Sequence, residues 1–308
     1  MSEQMAELVL GSVQLGMPYG AANRVGKPSR AAAVKLVRRA ADRGIRRFDT
    51  ARAYGDSESR LGEALQGRDV HTVTKLSPLS GLDPHATREE VYAAVDTSIA
   101  ESLSALRQKR LDCLLLHRAS HMTDHDGAIW TRLLEHVCEG RVRALGVSVQ
   151  SPQEALSALD CPDVRHIQMP FNVLDWRWLE AGVIERCKAR RDVTVHVRSV
   201  FLQGLLAAGN ASIWPKIDGV DPVAILAMIS AMTTEYGRES CADFCLAYAR
   251  GHKFIHGVVI GLETMEQLDV NLRLAVKRPL TPVLCAEIEA RVPRLPEQLL
   301  NPAQWPKA

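Results

Sequence analysis

The sequence is poor in several features that would assign a chain to a special class of protein. Aromatic residues make up only 5% of its 308 residues, and its seven cysteines are an odd set without a Cys-x-x-Cys pair. We therefore expect neither a disulfide framework nor a zinc site of paired cysteines. No apolar run approaches the roughly 20 residues that span a bilayer. No charged start followed by an apolar stretch marks a secretory signal, so we expect a reduced, cytoplasmic protein.

An excess of charge of either sign is also missing. The 38 basic and 36 acidic residues give a formal net charge of +2, which favours neither nucleic acid nor a membrane surface as partner. Hydrophobic residues at 46% and charged residues at 24% are typical of a globular protein. The composition therefore gives no argument for either kind of partner.

The motifs of the common nucleotide-binding and hydrolase folds are absent as well. A doubly wound dinucleotide-binding fold needs Gly-x-Gly-x-x-Gly after its first strand, but the glycines there are Gly11 and Gly16. The chain has no Gly-Lys-Ser/Thr phosphate loop and no Gly-x-Ser-x-Gly nucleophile elbow.

What the sequence does contain is a regular alternation of short apolar runs and longer amphipathic segments. Several of the runs are continuously apolar, which is typical of parallel strands buried on both faces. Eight strands that alternate with helices, without a linker, predict an α/β fold in which residues 1–308 form one (β/α)₈ TIM barrel. The strands are expected to begin near Leu8, Arg46, His71, Leu111, Arg143, His166, Val193 and His256.

Capping signals place the helices between these strands. Ser29 opens a helix that stops before Gly44, and Thr87 begins a capping box. The widest gap between predicted elements, 206–240, is the expected place for an insertion. The predicted helices cover 29–43, 87–107, 127–139, a segment from 151, 176–190, 241–250 and 264–275.

Polar side chains follow three neighbouring strands where the carboxyl ends of barrel strands form active sites. Asp49 and Tyr54 follow strand 2, Lys75 ends strand 3 and His117 ends strand 4. Each alone has a structural explanation: a loop cap, a core aromatic, a lysine extending to the surface or a histidine bonded to backbone. Together they suit proton transfer to a carbonyl oxygen. A nearby ammonium makes a phenol a better acid, a carboxylate keeps that ammonium charged, and a histidine orients the carbonyl.

The residues around this cluster resemble the aldo-keto reductase superfamily, and the resemblance covers nearly the whole chain. Phe48-Asp49-Thr50-Ala51-Arg52-Ala53-Tyr54-Gly55 is similar to the family signature around its catalytic Asp and Tyr. Further matching segments follow in the family's order. They are 73–75 with the lysine, 116–118 with the histidine, 139–148, 166–172 and 261–271.

The resemblance implies an oxidoreductase that uses NADPH or NADH at the carboxyl face of the barrel. Tyr54 would be the general acid, Lys75 would lower its pKa, Asp49 would hold Lys75, and His117 would orient the carbonyl. The residues that the resemblance implies for the cofactor are Gly11, Ser12, Asp49, Ser148, Gln168, Arg198, Ser199, Phe201, Gln203, Gly204, Gly261, Glu263, Thr264, Gln267 and Asn271.

Some positions depart from the family pattern. Val149 stands where many members have Asn, and Val270 where many have Glu. Arg198 replaces an aromatic residue that often lies against the nicotinamide, although a planar guanidinium also stacks on a ring. Glu263 is expected to repel the 2′-phosphate of NADPH and to accept a hydrogen bond from a ribose hydroxyl, so NADH would be tolerated or preferred. The alternative is that Glu263 points to solvent and that a basic residue, Lys253 or Arg273, meets the phosphate.

The substrate is expected to be a small aldehyde or ketone, with Met17, Tyr19 and Trp130 near its pocket. The loop around residues 16–28 resembles members found among bacterial sugar-metabolism enzymes, which favours a sugar-derived carbonyl. His121 and His125 lack the Glu of a His-Glu-x-x-His zinc motif, so no metal is expected. Two other functions stay open: a Schiff-base lyase that uses Lys75, and a non-catalytic subunit that senses a nucleotide. The pattern does not predict an oligomeric state.

Overall fold

The computed structural model describes residues 5–306, and these form a closed barrel of parallel strands, each paired with its neighbours in chain order. This confirms the predicted (β/α)₈ barrel. The predicted domain limits, residues 1 and 308, lie outside the described residues. The strands are β1 Glu7–Gly11, β2 Arg47–Asp49, β3 His71–Lys75, β4 Cys113–Leu116, β5 Leu145–Ser148, β6 His166–Pro170, β7 Thr194–Arg198 and β8 Gly257–Gly261.

Helices connect the strands on the outside of the barrel. They are α1 Val13–Gly16, α2 Arg30–Asp42, α3 Ser57–Leu65, α4 Arg88–Leu106, α5 Ala128–Cys138, α6 Pro152–Asp160, α7 Arg177–Glu180, α8 Val183–Ala189, α9 Leu205–Ala208, α10 Pro222–Glu235, α11 Cys241–Arg250, α12 Met265–Ala275, α13 Pro282–Arg291 and α14 Glu297–Leu300. No helix within residues 5–306 combines the length and the apolar character that a membrane span requires.

The capping signals determine where several of these helices begin. The Ser29 hydroxyl accepts a hydrogen bond from the backbone N–H of Ala32 at the start of α2. Thr87 and Glu90 form a complete capping box at the start of α4. The helix predicted over 176–190 is wrong in one respect, because Gly182 adopts a left-handed conformation (φ 73°) and divides it into α7 and α8. The expected insertion in 206–240 contains most of α9 and the whole of α10.

The hydrophobic core has two parts. The larger part lies between the strands and the surrounding helices, while a small separate cluster consists of Val73, Cys113 and Leu115. Polar residues such as His166 and His196 are also buried, and their rings lie 4.2 Å apart between centroids. The barrel therefore contains titratable groups that are largely shielded from water.

Close backbone contact between two loops fixes the carboxyl rim beside β2. A Cβ atom on Gly16 would lie 1.8 Å from the carbonyl oxygen of Tyr54. Gly55 has φ +57°, and a Cβ there would lie 2.5 Å from the carbonyl oxygen of Gly16. Only glycine fits both positions, so the loop that follows β1 packs directly on the loop that carries Tyr54.

Candidate active site

A buried ion pair lies at the centre of the rim, where β2 and β3 end. Lys75 Nζ donates to both carboxylate oxygens of Asp49, at 2.8 and 2.9 Å, and to the carbonyl oxygen of Thr50 at 2.9 Å. Lys75 is 1% exposed and Asp49 is 3% exposed. These bonds occupy all the N–H groups of the ammonium, which a buried charge requires.

The charge state of Lys75 follows from two opposing effects. Burial favours the neutral amine, but the negative charge of Asp49, with a smaller contribution from Tyr54, outweighs it and raises the pKa of Lys75 above its ordinary value. Lys75 is therefore a fixed cation beneath the site.

Tyr54 and His117 lie above this cation. Lys75 Nζ is 5.1 Å from the centroid of the Tyr54 ring. The rings of Tyr54 and His117 meet edge to face, with centroids 5.7 Å apart. Burial, together with the positive charges of Lys75 and Arg198, lowers the pKa of His117 to about 3. A neutral imidazole therefore stands beside the phenol, and the structure brings all four predicted catalytic residues together.

A buried chain of hydroxyl groups supports the Asp49 backbone. Ser12 Oγ donates to the Asp49 carbonyl oxygen at 2.7 Å, and Ser57 Oγ lies 2.7 Å from Ser12 Oγ. Thr50 Oγ1 donates to Ser57 Oγ at 3.0 Å. Sequence reasoning assigned Ser12 to the cofactor and gave Ser57 no role. Ser57 lies two residues beyond the signature segment 48–55, and local pattern gave no signal for it because its partner Ser12, in the loop after β1, is distant in sequence.

A second buried network links the Tyr54 loop to strand β3. Glu58, 1% exposed, accepts a hydrogen bond from Thr74 Oγ1 at 2.6 Å and forms an ion pair with Arg52 at 2.6 Å. Thr74 precedes Lys75, and Arg52 stands two residues before Tyr54. Sequence reasoning assigned no role to Glu58, which here fixes the loop relative to the strand.

Gln168 on β6 connects this cluster to the opposite side of the rim. Its Nε2 donates to Asp49 Oδ2 at 2.6 Å, while its Oε1 is buried without a partner in the described part of the chain. Ser148, 4% exposed, ends β5 in register with Gln168. An unpaired buried acceptor costs stability unless a ligand supplies a donor. The two side chains therefore fit a carboxamide with N–H groups, as nicotinamide has.

Gly11 and Gly261 are register partners where β1 meets β8, and other side chains lie close to both of them. The amide of Gln14 fills the position of a Gly261 Cβ, which would lie 2.2 Å from its nitrogen and oxygen. Gln14 Oε1 is a second buried acceptor without a partner among residues 5–306. Sequence reasoning did not identify Gln14, because a single polar residue in a loop carries no recognisable pattern.

At the start of α12, polar side chains form hydrogen bonds mainly with backbone groups of the same helix end. Thr264 caps the helix, and Gln267 Oε1 accepts from the backbone N–H groups of Glu263 and Thr264 at 2.6 and 3.2 Å. Asn271 Nδ2 donates to the Gln267 carbonyl oxygen at 2.8 Å. Arg273, one of the two alternative partners for a 2′-phosphate, forms an ion pair with Glu239.

The loop after β7 has an unusual backbone. Ser199, Leu202 and Gln203 have φ values of 61°, 45° and 53°, in the left-handed region that residues other than glycine rarely adopt. Gly204 continues this run at φ 91°, and a Cβ there would lie 2.6 Å from the side chain of Ala22. Strained backbone of this kind is held by its surroundings and occurs often at ligand sites.

The remaining predicted site residues occupy different environments. Met17 and Tyr19 are 37% and 41% exposed in the loop after α1. Phe201 is partly buried against the main core. Trp130 is 8% exposed within the first turn of α5 and belongs to the main hydrophobic core. Their roles at the pocket or the cofactor stay predictions.

His121 and His125 lie in the segment between β4 and α5. His121 is 4% exposed, and His125 has a left-handed conformation at φ 53°. Within the described part of the chain, no group of three or more His, Cys, Asp or Glu residues is placed to hold a metal ion.

The fold and the site together define a (β/α)₈-barrel protein with an Asp–Lys–Tyr–His cluster at the carboxyl rim. The chain belongs to the aldo/keto reductase family, because the sequence model of that family matches residues 7–292. This confirms the family resemblance.

Individual relatives are more distant. The aldo-keto reductase YhdN of Bacillus subtilis is 26% identical over 184 residues, which cover 56% of this chain and 53% of YhdN. The match thus spans about half of that relative. The holo form of aldo-keto reductase AKR11C1 from Bacillus halodurans has a TM-score of 0.73 at 22% identity, covering 94% of this chain and 93% of its own. The glycerol dehydrogenase AKR11B4 of Gluconobacter oxydans has a TM-score of 0.71 at 19% identity, covering 96% and 98%. These two structures share the fold.

Proposed function

We propose that the protein is an oxidoreductase that reduces a small aldehyde or ketone to an alcohol with NADPH or NADH. The observation that carries this proposal is the buried Asp49–Lys75 pair directly beneath Tyr54, with neutral His117 at its side. Family membership supports the same reaction class. We expect it to act in the cytoplasm on a small molecule, without a nucleic-acid or membrane partner.

Each residue of the cluster has a distinct task in this proposal. The neutral His117 donates a hydrogen bond to the carbonyl oxygen and directs it towards the Tyr54 hydroxyl. Tyr54 gives its proton to that oxygen as the carbonyl carbon receives hydride, and the Lys75 ammonium stabilises the phenolate left behind. Asp49 keeps Lys75 charged and in place.

The cofactor site is proposed on the other side of the rim. Ser148 and Gln168 would hold the carboxamide, and the buried Gln168 Oε1, which has no partner in the described part of the chain, supports this assignment. When bound, the nicotinamide supplies the hydride that no side chain can provide. Gly11, Ser12, Gly261 and the loop 198–204 would lie along the cofactor, and 263–271 at its adenosine end. Glu263 stands where it would oppose a 2′-phosphate, so we propose that NADH is accepted.

The lyase alternative is less compatible with the geometry. A Schiff base requires a neutral amine with a free lone pair. Lys75 instead donates three hydrogen bonds, and Asp49 raises its pKa. A polar, sugar-derived carbonyl suits the proposal, and one structural relative bears the name glycerol dehydrogenase.

Oxidation of the cofactor by a panel of small aldehydes tests the proposal. We expect wild-type protein to oxidise NADPH or NADH, and Tyr54→Phe to lower kcat by about 10²- to 10⁴-fold because the proton donor is lost. Tyr236→Phe, a change on a surface helix end far along the chain, serves as the control and should leave kcat unchanged. Cofactor binding, followed by protein fluorescence, should survive in both variants. Equal activity of Tyr54→Phe and wild type would contradict the assignment of the acid.

A further inference from the structure

Arg198 is the last residue of β7, and its side chain faces the inside of the barrel. His196, two residues earlier, is the register partner of Gln168, whose amide contacts Asp49 within the barrel. Because side chains two residues apart on a strand share a face, Arg198 points to the same side at the rim. Its Nη2 donates to the Val149 carbonyl oxygen at 3.2 Å, beyond the end of β5. The guanidinium therefore extends across the mouth above β6.

The charge of Arg198 acts on the catalytic residues. It contributes to lowering the pKa of His117 and opposes the raised pKa of Lys75. At Tyr19, which is only partly shielded from water, that shielding raises the pKa of the phenol and the positive charge of Arg198 acts against the rise. Arg198 is thus close enough in space to influence groups on β3, β4 and the loop after α1.

No carboxylate among residues 5–306 pairs with Arg198. Its other hydrogen bond is a long one, 3.5 Å from Nη1 to Ser199 Oγ. The nearest acid of the catalytic cluster, Asp49, already accepts bonds from Lys75 and Gln168. A partly buried guanidinium that retains free N–H donors is a good receptor for a planar anion.

We propose that Arg198 binds an anionic group, a carboxylate or a phosphate, on the carbonyl substrate. The inference rests on the proposed function and specifies its substrate class: an aldehyde or ketone with an acidic group a few bonds from the carbonyl. Arg198 then acts as a specificity-determining residue. This differs from the expectation that its guanidinium only stacks on the nicotinamide.

Matched substrates that differ in one charged group test this inference. Succinic semialdehyde is compared with butanal, and glyceraldehyde 3-phosphate with glyceraldehyde. In one of the two pairs we expect the anionic aldehyde to have a higher kcat/KM than its neutral counterpart. Most of this difference should lie in KM. The pair with the larger ratio identifies carboxylate or phosphate as the preferred group. In Arg198→Met that ratio should fall by about 10- to 100-fold, because a charge-assisted contact is lost, and Arg198→Lys should restore part of it.

Arg118→Met is the matched control. Arg118 is exposed next to His117 and donates to Ser80 Oγ at 3.2 Å, so its removal takes the same charge from the same rim. We expect it to change the ratio by less than about threefold, since salt screens exposed charges. An equal fall of the ratio in Arg198→Met and Arg118→Met would mean that the overall positive charge of the rim, and not a contact with Arg198, favours the anionic substrate. That result would overturn the inference. An unchanged ratio in Arg198→Met would also overturn it. So would an equal loss of kcat/KM for the charged and the neutral substrates, if it were accompanied by weaker cofactor binding.

A binding measurement separates this inference from the proposed function. Calorimetric titration with succinic semialdehyde and with glyceraldehyde 3-phosphate uses the wild type and Arg198→Met. If no aldehyde is turned over, the proposed function fails, yet binding of either anion to the wild type alone still supports the Arg198 site. Binding of neither, or equal binding to both proteins, overturns it.

Discussion

The two sides of the rim are built in different ways. Beside β2, β3 and β4, Asp49 and Lys75 are buried and bonded directly to each other. The half-buried rings of Tyr54 and His117 meet edge to face beside them. Beside β7 and β8, the rim consists of left-handed backbone, a self-capped helix and side chains such as Arg198, which has no charged partner among residues 5–306. We name the first the catalytic side and the second the cofactor side, after the roles proposed above. The catalytic side is joined by hydrogen bonds of its own residues, whereas on the cofactor side the N–H donors of Arg198 and the Gln14 Oε1 acceptor are not fully paired among residues 5–306.

The largest predicted effect comes from disrupting the buried Asp49–Lys75 pair on the catalytic side. Lys75→Met removes the partner of a buried carboxylate, and of the bonds among residues 5–306 the Asp49 carboxylate would retain the one from Gln168. We expect a loss of about 3–5 kcal/mol in the free energy of unfolding, the usual result of leaving a buried charge unpaired. Urea unfolding measures it. The double change Asp49→Asn with Lys75→Met should recover part of the loss, and a cost below about 1 kcal/mol for Lys75→Met would show that the pair is not buried as described.

A smaller effect concerns the charge state of His117. Its pKa in the folded protein, about 3, lies below the ordinary value of 6.5, so the unfolded chain binds the proton first as the pH falls. Above pH 6.5, His117 is neutral in both the folded and the unfolded protein, and the full stability is present. Between pH 6.5 and 3, His117 lowers the free energy of unfolding by up to about 1.4 kcal/mol for each unit by which the pH falls. We expect kcat/KM to show no histidine titration between pH 5 and 8.

His117→Gln tests this expectation in unfolding experiments from pH 7 to 5. Its stability should depend less on pH than that of the wild type, because one depressed histidine is gone. The same slope in both proteins, or a histidine inflection in the kcat/KM profile of the wild type, would mean that His117 titrates normally.

The smallest effect concerns the cofactor side alone. Glu263 carries the negative charge proposed to disfavour a 2′-phosphate, so Glu263→Ser should raise the ratio of kcat/KM for NADPH to that for NADH by about tenfold, or 1.4 kcal/mol. Glu266→Gln, on the exposed side of the first turn of α12, removes an equal charge as a control and should have little effect. An unchanged ratio in Glu263→Ser would favour the alternative in which Glu263 points to solvent.

The contrast between the two sides also explains how far the sequence could be interpreted. Asp49, Lys75 and His117 stand at strand ends, where local pattern and barrel geometry together predict convergence, and the structure brings them together. The left-handed Ser199, Leu202 and Gln203 could not be predicted, because such backbone depends on tertiary contacts, such as the hydrogen bond from the Ala22 N–H to the Gln203 carbonyl oxygen. Local propensity carries no information about such contacts.

Other features were missed for related reasons. Ser57 and Glu58 stand at the start of α3, and their partners, Ser12 and Thr74, lie on other strands or loops. The break at Gly182 was missed because an isolated glycine within a helical pattern is tolerated in many helices. In each case, tertiary contacts decide between structures that the local sequence allows.

The most direct test of the central claim is to follow hydrogen from the cofactor to the product. NADPH and NADH carrying deuterium at C4 of the nicotinamide, in the transferable position, would be incubated with the protein and succinic semialdehyde or butanal. Mass spectrometry then reads the alcohol. We expect the alcohol formed by the wild type to carry one deuterium on the former carbonyl carbon. In Tyr54→Phe, formation of the alcohol should be nearly abolished. An alcohol without deuterium, or no alcohol from any aldehyde while either cofactor binds, would contradict it.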